Sequence, residues 1–398
     1  MHLTPMWRGT VAVSLCAMTA LTFQGLASST ASASASTDHA ASAQAPSATA
    51  GHSAVGGIET GVARKLAASL ADPAWRAQVR SAALGSGQLD LGALAKRAAA
   101  PGGLAPAVAA ADRNIATAKG LAANSGSLLR LRLGADSMRP ALTSGAVPLV
   151  AAAAGAGSAA TVTAYDSAGR AHTLSARKAP QQAVYVVDID VSKAMKTGLA
   201  QVDKQLAAAG LTTAATPHAT TRSDAARPGT ARPDDAGFWS TRVDSVYLND
   251  DEEPWILGDA EIFSIVSGFG FDGKVRVDTV DMPYLDNDHT TYYPNQILVN
   301  WSYYKYDLAD VVMMEDDGDT NYADLAKALA DALLTITDQG AYVPLVDAIL
   351  AAIPSSWYTN DADYVDSWYT LAESSSGRLN GARGNGWMTV DPYYVSAL

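Results

Sequence analysis

The sequence has almost none of the residues that form disulfide bonds or soft-metal sites. Its 398 residues include one cysteine, Cys16, and six histidines. A disulfide within the chain is therefore excluded. A zinc or copper site is also disfavoured, because these metals prefer cysteine and histidine ligands and the chain has few of them. The motifs G-x-S-x-G and H-E-x-x-H are also absent, which argues against the common serine hydrolases and zinc proteases.

Long apolar runs are missing beyond the amino terminus. Residues 11–23 are apolar, follow a weakly basic start and precede two Ala-Ser-Ala sites, a pattern typical of a signal peptide. We predict a signal peptide over residues 1–36, with Cys16 in its apolar core, and hence a secreted, extracellular protein. The bulky Leu15 before Cys16 does not fit a lipoprotein anchor. No later stretch is apolar enough for us to expect a transmembrane segment in the mature chain.

Basic residues are scarce in the second part of the chain. Residues 233–398 carry 29 acidic against 7 basic side chains, whereas residues 1–232 carry 11 acidic against 21 basic. Six of the eight tryptophans and fourteen of the sixteen tyrosines also lie after residue 233. An acidic surface repels phosphates, so we expect no nucleic acid partner. It favours divalent cations, and the aromatic side chains suit an extracellular glycan or cell-surface ligand.

Composition divides the mature chain into four stretches. Residues 37–57 are too polar and too simple to build a core and are predicted to be a disordered leader. Residues 58–210 mix helical and strand patterns and predict an α+β N-terminal region. Residues 211–236 lack apolar periodicity and are predicted to be a flexible linker. Residues 237–398 are predicted to form an acidic, β-rich C-terminal domain.

Apolar periodicity locates the elements of the N-terminal region. Val62, Leu66 and Leu70 repeat at helical spacing, and Asp72-Pro73 is a typical helix start because Asp caps and Pro fits the first turn. A turn at residues 166–169 predicts a β-hairpin. The predicted strands are residues 147–150, 160–165, 171–175 and 183–189, and a helix follows over residues 192–209.

The C-terminal stretch alternates short β-rich segments with turn residues, which favours an antiparallel arrangement. The expected fold is an α+β N-terminal region followed by a mainly antiparallel β-sandwich-like C-terminal domain with an inserted helical hairpin. The hairpin is predicted over residues 322–336 and 343–353. The predicted strands are residues 243–248, 261–266, 275–280, 296–301, 311–315, 364–371, 387–390 and 393–395.

Carboxylates are densest directly after the predicted strand at residues 311–315. Crowded carboxylates repel one another unless a cation neutralises them, and calcium accepts six to eight oxygen ligands in loose geometry. The spacing is not that of an EF-hand, because Tyr322 occupies the position of the turn glycine. We predict calcium as the cofactor, held where acidic loops converge at one end of the strands. The candidate metal ligands are Glu315, Asp317, Asp319, Asp324, Asp361 and Asp363.

Two other interpretations of the acidic runs stay open. They could be solvated loops that keep an exported protein soluble and its strand edges unpaired. They could instead supply the carboxylate pair of a secreted hydrolase that acts on polysaccharide, with tyrosines stacking on sugar rings. No residue pattern assigns a general acid and a general base, so no catalytic residue is predicted. The sequence favours a binding or surface-interaction module over an enzyme.

Four segments together resemble an uncharacterised family of secreted bacterial proteins, known as a domain of unknown function. They are GDAEIF at residues 258–263, MPYLDNDHTTYYPNQILVNW at 282–301, MEDDGDTNY at 314–322 and TNDADYVDSWYTL at 359–371. The resemblance covers about residues 240–395. It implies export and an Asp-rich C-terminal module, and it carries over no catalytic residue.

Overall fold

The computed structural model describes most of the chain after residue 53, and all of the described residues belong to one compact unit, residues 50–398. The described residues are 54–153, 160–213, 237–250, 255–258, 260–316, 318, 320–353 and 364–396. The predicted signal peptide and Cys16, the leader up to residue 53, and the linker beyond Thr213 lie outside them.

Eight α-helices are present in the described residues, and local caps explain where several of them begin. In the predicted helix start, the Asp72 side chain accepts the backbone N–H of Trp75 at 2.8 Å and Pro73 is the first helical residue. The helices are α1 Ala54–Ser69, α2 Pro73–Gly85, α3 Leu91–Arg97, α4 Leu104–Ala118, α5 Arg139–Thr143, α6 Val191–Ala209, α7 Tyr322–Leu333 and α8 Val346–Ala352.

The first sheet contains six strands in the order β1-β2-β6-β3-β4-β5, and only the β3–β6 pair is parallel. The four strands predicted in this region are confirmed within two residues at each end, as is the hairpin that joins β4 to β5. The pattern analysis missed β1 and β2. The strands are β1 Gln88–Asp90, β2 Leu129–Leu133, β3 Leu149–Ala152, β4 Thr161–Tyr165, β5 Ala171–Ser175 and β6 Val184–Ile189.

The later strands form two further sheets, both antiparallel. The five-stranded sheet runs β10-β7-β15-β14 with β11 also paired to β7, and the four-stranded sheet runs β13-β12-β8-β9. Their strands are β7 Phe238–Leu248, β8 Ile262–Phe269, β9 Val275–Asp281, β10 Thr291–Tyr292, β11 Gln296–Asn300, β12 Leu308–Glu315, β13 Tyr364–Ala372, β14 Gly377–Asn380 and β15 Gly386–Val395.

A mixed α+β fold is confirmed, whereas the predicted sandwich layout is not. On β12, Val311 and Met313 join a hydrophobic cluster with the five-stranded sheet. Val312 and Met314 point to the other side and join a cluster with residues of α6, α7 and α8. The four-stranded sheet is therefore covered on both faces, which explains why every residue of β8 is buried instead of every second one.

The inserted helical hairpin is confirmed as α7 and α8, which pack against each other and against the four-stranded sheet.

The first residues of the predicted linker are packed against the rest of the protein. Leu211 is buried, and Thr212 donates its N–H to Val275 O at 3.2 Å and accepts the N–H of Val277 at 2.8 Å. The chain therefore extends the edge of the four-stranded sheet before it enters residues 214–236.

A glycine-rich turn between β14 and β15 is organised by one buried carboxylate. Asp366 accepts backbone N–H groups from Ser367, Arg383 and Gly386, each at 2.8 Å. A Cβ at Gly381 would overlap this carboxylate, so only glycine fits there. Asp366 belongs to an acidic cluster of the sequence, but its role in the fold is to satisfy backbone donors.

Candidate functional site: the acidic loop

The acidic loop, residues 315–324, runs from the end of β12 into α7, and its residues Asp316, Gly318 and Thr320, which lie between the two elements, are buried. Asp316 is fully buried and Thr320 is 4% exposed. Solvated loops do not bury aspartates, because an unpaired carboxylate loses its hydration there. The buried residues of this loop therefore do not fit the interpretation as a solvated surface loop, whereas Asp324 is exposed.

The counter-charge of Asp316 comes from a lysine 197 residues earlier in the sequence. Lys119, at the end of α4, has its Nζ 3.4 Å from Asp316 Oδ1, and both side chains are fully buried. The same Nζ donates to Gly318 O at 2.8 Å and lies 5.1 Å from the ring centre of Tyr322. The Tyr322 hydroxyl donates to the second oxygen of Asp316. One lysine therefore neutralises the carboxylate and fixes the loop backbone.

The end of α4 meets the start of α7, and each helix satisfies backbone groups of the other. Asn321 Nδ2 donates to Ala118 O at 2.9 Å, and the N–H of Tyr322 donates to Lys119 O at 3.1 Å. Asn321 Oδ1 accepts the N–H groups of Ala323 and Asp324 and caps α7. The last carbonyls of one helix and the first amides of the next would otherwise need water or other partners.

Two glycines permit this close packing. A Cβ at Gly198 on α6 would overlap the ring of Tyr322, which lies flat against the helix there. Gly120 follows α4 with a φ of +65°, and its Cβ would come within 2.7 Å of Ala323 Cβ. Larger residues at either position would separate α7 from the N-terminal helices.

A second carboxylate beside the acidic loop comes from the chain just before β8. Glu261 is 5% exposed, its Oε1 lies 3.8 Å from Arg130 Nη2, and it accepts the Ser192 hydroxyl at 3.2 Å. Burial raises the pKa of the Glu261 carboxyl well above its usual value, opposed by Arg130 and reinforced by Asp188 and Asp316. Asp188 in turn lies 3.2 Å from Arg132 Nε.

The strand registers bring three acidic segments to one end of the four-stranded sheet. Glu315 at the end of β12 pairs with Ile262 at the start of β8, and Met314 pairs with Tyr364 at the start of β13. In the sequence, Asp363 directly precedes Tyr364 and Glu261 directly precedes Ile262. The end of β12 and the starts of β8 and β13 therefore lie next to one another at the same end of the four-stranded sheet.

Two of the six predicted metal ligands lie in the described chain, and they differ in exposure. Glu315 is 1% exposed at the end of β12, whereas Asp324 is exposed in the first turn of α7. Among the described residues, no group of three or more His, Cys, Asp or Glu side chains could hold a metal ion. Four predicted ligands lie outside the described residues, namely Asp317, Asp319, Asp361 and Asp363.

Sequence reasoning missed the basic residues that neutralise this region. Lys119 follows an alanine-rich helix, and Arg130 and Arg132 belong to a five-residue strand that was not predicted. The alternation Leu-Arg-Leu-Arg-Leu in β2 is a strand signal that could have been found. Nothing local marks Lys119, because its partner Asp316 lies 197 residues away in the sequence.

A separate ionic cluster lies where α6 packs on β9. Arg276 contacts both oxygens of Asp278 at 2.7 Å, and the Tyr304 hydroxyl donates to Asp278 at 2.8 Å. Asp203 on α6 accepts the Thr279 hydroxyl at 3.4 Å. Burial, and then the neighbouring Asp278, raise the pKa of Asp203 to about 7.

Asp203 makes the stability of the fold depend on pH. An unfolded aspartate loses its proton near pH 3.9, whereas folded Asp203 keeps it to about pH 7. The associated stability is fully present below about pH 4 and is lost as the pH rises to about 7. We therefore expect Asp203→Asn, which imitates the protonated form, to gain free energy of unfolding over the wild type progressively from pH 4 to 8 in urea denaturation. The exposed control Asp136→Asn should show no such trend, and a pH-independent difference for Asp203→Asn would contradict the assignment.

Comparison with protein-family models identifies the family of this chain. The model of the protein family of unknown function DUF3103 matches residues 34–397, which is most of the chain. The chain therefore belongs to the DUF3103 family. No curated protein and no solved structure gives a significant match. Within the described part of the chain, no helix is both long and apolar enough to cross a bilayer.

Proposed function

We propose that this chain is a secreted binding module whose acidic loop is closed by a calcium ion. The observation that carries the proposal is that the starts of β8 and β13 and the end of β12 meet at one end of the four-stranded sheet. In the sequence, an acidic segment directly adjoins each of these strand ends. Calcium-binding sites of this type combine carboxylates from several loops, none of which could hold the ion alone.

Basic side chains already lie beside the buried carboxylates around the acidic loop, so the proposal assigns the cation to the remaining carboxylates of the acidic segments. Four acidic side chains with low exposure lie in this region, and three basic side chains lie beside them. Because Asp316 is already engaged by Lys119 and Tyr322, it is not needed as a ligand. The acidic side chains are Asp188, Glu261, Glu315 and Asp316, and the basic ones are Lys119, Arg130 and Arg132.

The remaining carboxylates of the acidic segments are the proposed ligands. Asp317 and Asp319 flank Gly318, whose carbonyl accepts from Lys119. In the proposal they bind the ion together with Glu315 and Asp324 and with Asp361 and Asp363 from the segment before β13. Bringing these charges together without a cation costs stability, so calcium binding and folding are coupled.

Thermal unfolding of the purified protein with calcium and with a chelator tests the proposal. We expect calcium to raise the midpoint, because a ligand at about 100 times its Kd adds about 2.7 kcal/mol to the free energy of unfolding. Asp317→Asn with Asp319→Asn should abolish the shift and leave the metal-free protein as stable or more stable. The matched control, Asp136→Asn with Asp331→Asn, removes two exposed carboxylates and should keep the shift. An unchanged midpoint in the wild type would exclude the ion.

The alternative is a carboxylate-dependent hydrolase that acts on polysaccharide. The raised pKa of Glu261 is what a general acid needs, yet Glu261 is nearly inaccessible to solvent and therefore to a polymer. The binding module is accordingly preferred. Release of reducing ends from a polysaccharide panel, lost on Glu261→Gln, would reverse that preference.

A further inference from the structure

An open cleft of about 590 Å³ lies where the five-stranded and four-stranded sheets meet, away from the acidic loop. Its walls come from the start of β7, the start of β12, the end of β13 and the second half of β15. Aromatic and acidic side chains share the lining. The aromatic ones are Trp239 and Tyr306, the acidic ones are Asp307 and Glu373, and Ser374 and Pro392 also line the cleft.

The aromatic side chains of the cleft are held in fixed positions. Trp239 is 41% exposed and packs edge-to-face on Tyr394, with ring centres 5.3 Å apart. The Tyr306 hydroxyl donates to Asp338 at 2.6 Å, and its ring packs edge-to-face on Phe269. A rigid, partly exposed indole offers a flat apolar surface at little cost in side-chain entropy.

Two acidic side chains line the cleft. They are Asp307 and Glu373, and the backbone N–H of Glu373 donates to Asp307 O at 3.0 Å, which fixes the two segments together. Two basic side chains that lie near the cleft in sequence contact other acidic residues. Lys305 contacts Asp338, and Arg242 contacts both oxygens of Asp391. A ligand in the cleft therefore meets carboxylates beside an aromatic surface, which favours a cation.

The backbone around the cleft is poorly suited to an added peptide strand. β7 and β12 each pair on both sides, and the Glu373 N–H at the end of β13 is already used. Beyond Val390, where pairing with β14 ends, β15 contains Pro392, which has no N–H to donate. Recognition must therefore use groups that project from the ligand and not its backbone.

We infer that this cleft binds a glycan that carries free amino groups, with the sugar ring stacked on Trp239 and the ammonium and hydroxyl groups donating to Asp307 and Glu373. This inference gives the proposed binding module its ligand class and rests on that proposal. The ligand must supply an apolar ring face to stack on the indole and several hydrogen-bond donors for the carboxylates. A polymer of amino sugars has both in each unit.

Isothermal titration calorimetry of the full chain with a glucosamine hexamer at pH 6 tests the inference. We expect binding that weakens about tenfold or more for Trp239→Ala, because exposed tryptophans at binding sites commonly dominate affinity. Asp307→Asn should weaken binding similarly, and it preserves the local backbone because asparagine tolerates the φ of +53° at this position. Tyr293→Ala, at a 69% exposed tyrosine that does not line the cleft, should leave binding unchanged.

Three other results would overturn the inference. The first is no binding of the glucosamine hexamer. The second is equal binding of the neutral N-acetylglucosamine hexamer, because the carboxylates would then have no electrostatic role. The third is poly-lysine binding that is as tight as glycan binding and equally sensitive to Trp239→Ala, which would make a basic peptide the occupant. The calcium-dependent unfolding midpoint is measured separately, so a failed glycan test leaves the calcium result intact and a failed calcium test leaves the glycan result intact.

Discussion

Lys119→Met should lower the free energy of unfolding by about 3–5 kcal/mol, because it leaves Asp316 charged and buried without its partner. Methionine fills similar space but cannot donate to Gly318 O, so the backbone of the acidic loop also loses a contact. Urea denaturation at neutral pH measures the change. The effect should be large because the lysine is fully buried and no water can take its place.

An exposed lysine provides the matched control for this prediction. Lys327 contacts Asp331 one turn along α7, and both side chains are mostly exposed to solvent. Lys327→Met should leave the free energy of unfolding nearly unchanged, because an exposed ion pair contributes little to stability. Adding Asp316→Asn to Lys119→Met should recover part of the lost stability, since the uncompensated charge is then gone. A Lys119→Met effect as small as that of the control would show that the ion pair does not hold the fold together.

Gly198→Ala should destabilise the protein by about 1–3 kcal/mol, although alanine normally favours a helix over glycine by about 1 kcal/mol. The added methyl group has no room, because the ring of the buried Tyr322 lies against the α6 backbone at this point. The sign of the effect should reverse in a Tyr322→Ala background, where the ring is absent. A thermal or urea denaturation double-mutant cycle measures the coupling between the two positions.

The control for this cycle is Gly61→Ala on α1, where a Cβ would have no atom within 4 Å. That substitution should stabilise the protein by about 0.5–1 kcal/mol through helix propensity alone. If Gly198→Ala behaved in the same way as Gly61→Ala, the close contact between α6 and Tyr322 would not contribute to stability.

The predicted calcium ion and the observed Lys119–Asp316 ion pair both place positive charge beside crowded carboxylates. Closely spaced carboxylates need positive charge nearby, and for Asp316 the fold provides it through Lys119. The calcium ion stays a prediction for the carboxylates that remain, and its predicted ligands include Asp317 and Asp319. Protein cations therefore neutralise part of the loop, and the proposal assigns the rest to a bound metal.

The sequence of β12 contains a signal for the layers on both of its faces. The run Val311, Val312, Met313, Met314 is apolar at every position, which is the pattern of a strand buried on both faces. The predicted sandwich instead places one face of this strand against the core and the other in solvent. In the structure, the five-stranded sheet covers one face and helices cover the other.

Local sequence by itself determined most elements of this protein. Helical periodicity located α1, α6 and α7, Asp72 and Pro73 marked the start of α2, and β-rich segments located β8, β9 and β12, because these signals depend on neighbours within a turn or a strand. Composition also determined the acidic, aromatic-rich character of residues 233–398.

Only the tertiary structure decided how the acidic loop is neutralised and where α7 is anchored. Lys119 meets Asp316 across 197 residues of sequence, and Gly198 meets Tyr322 across α6 and α7. Such pairs depend on how whole elements pack, and no periodicity in either segment encodes its distant partner. The joining of both parts of the chain around this loop is therefore a property of the packed molecule.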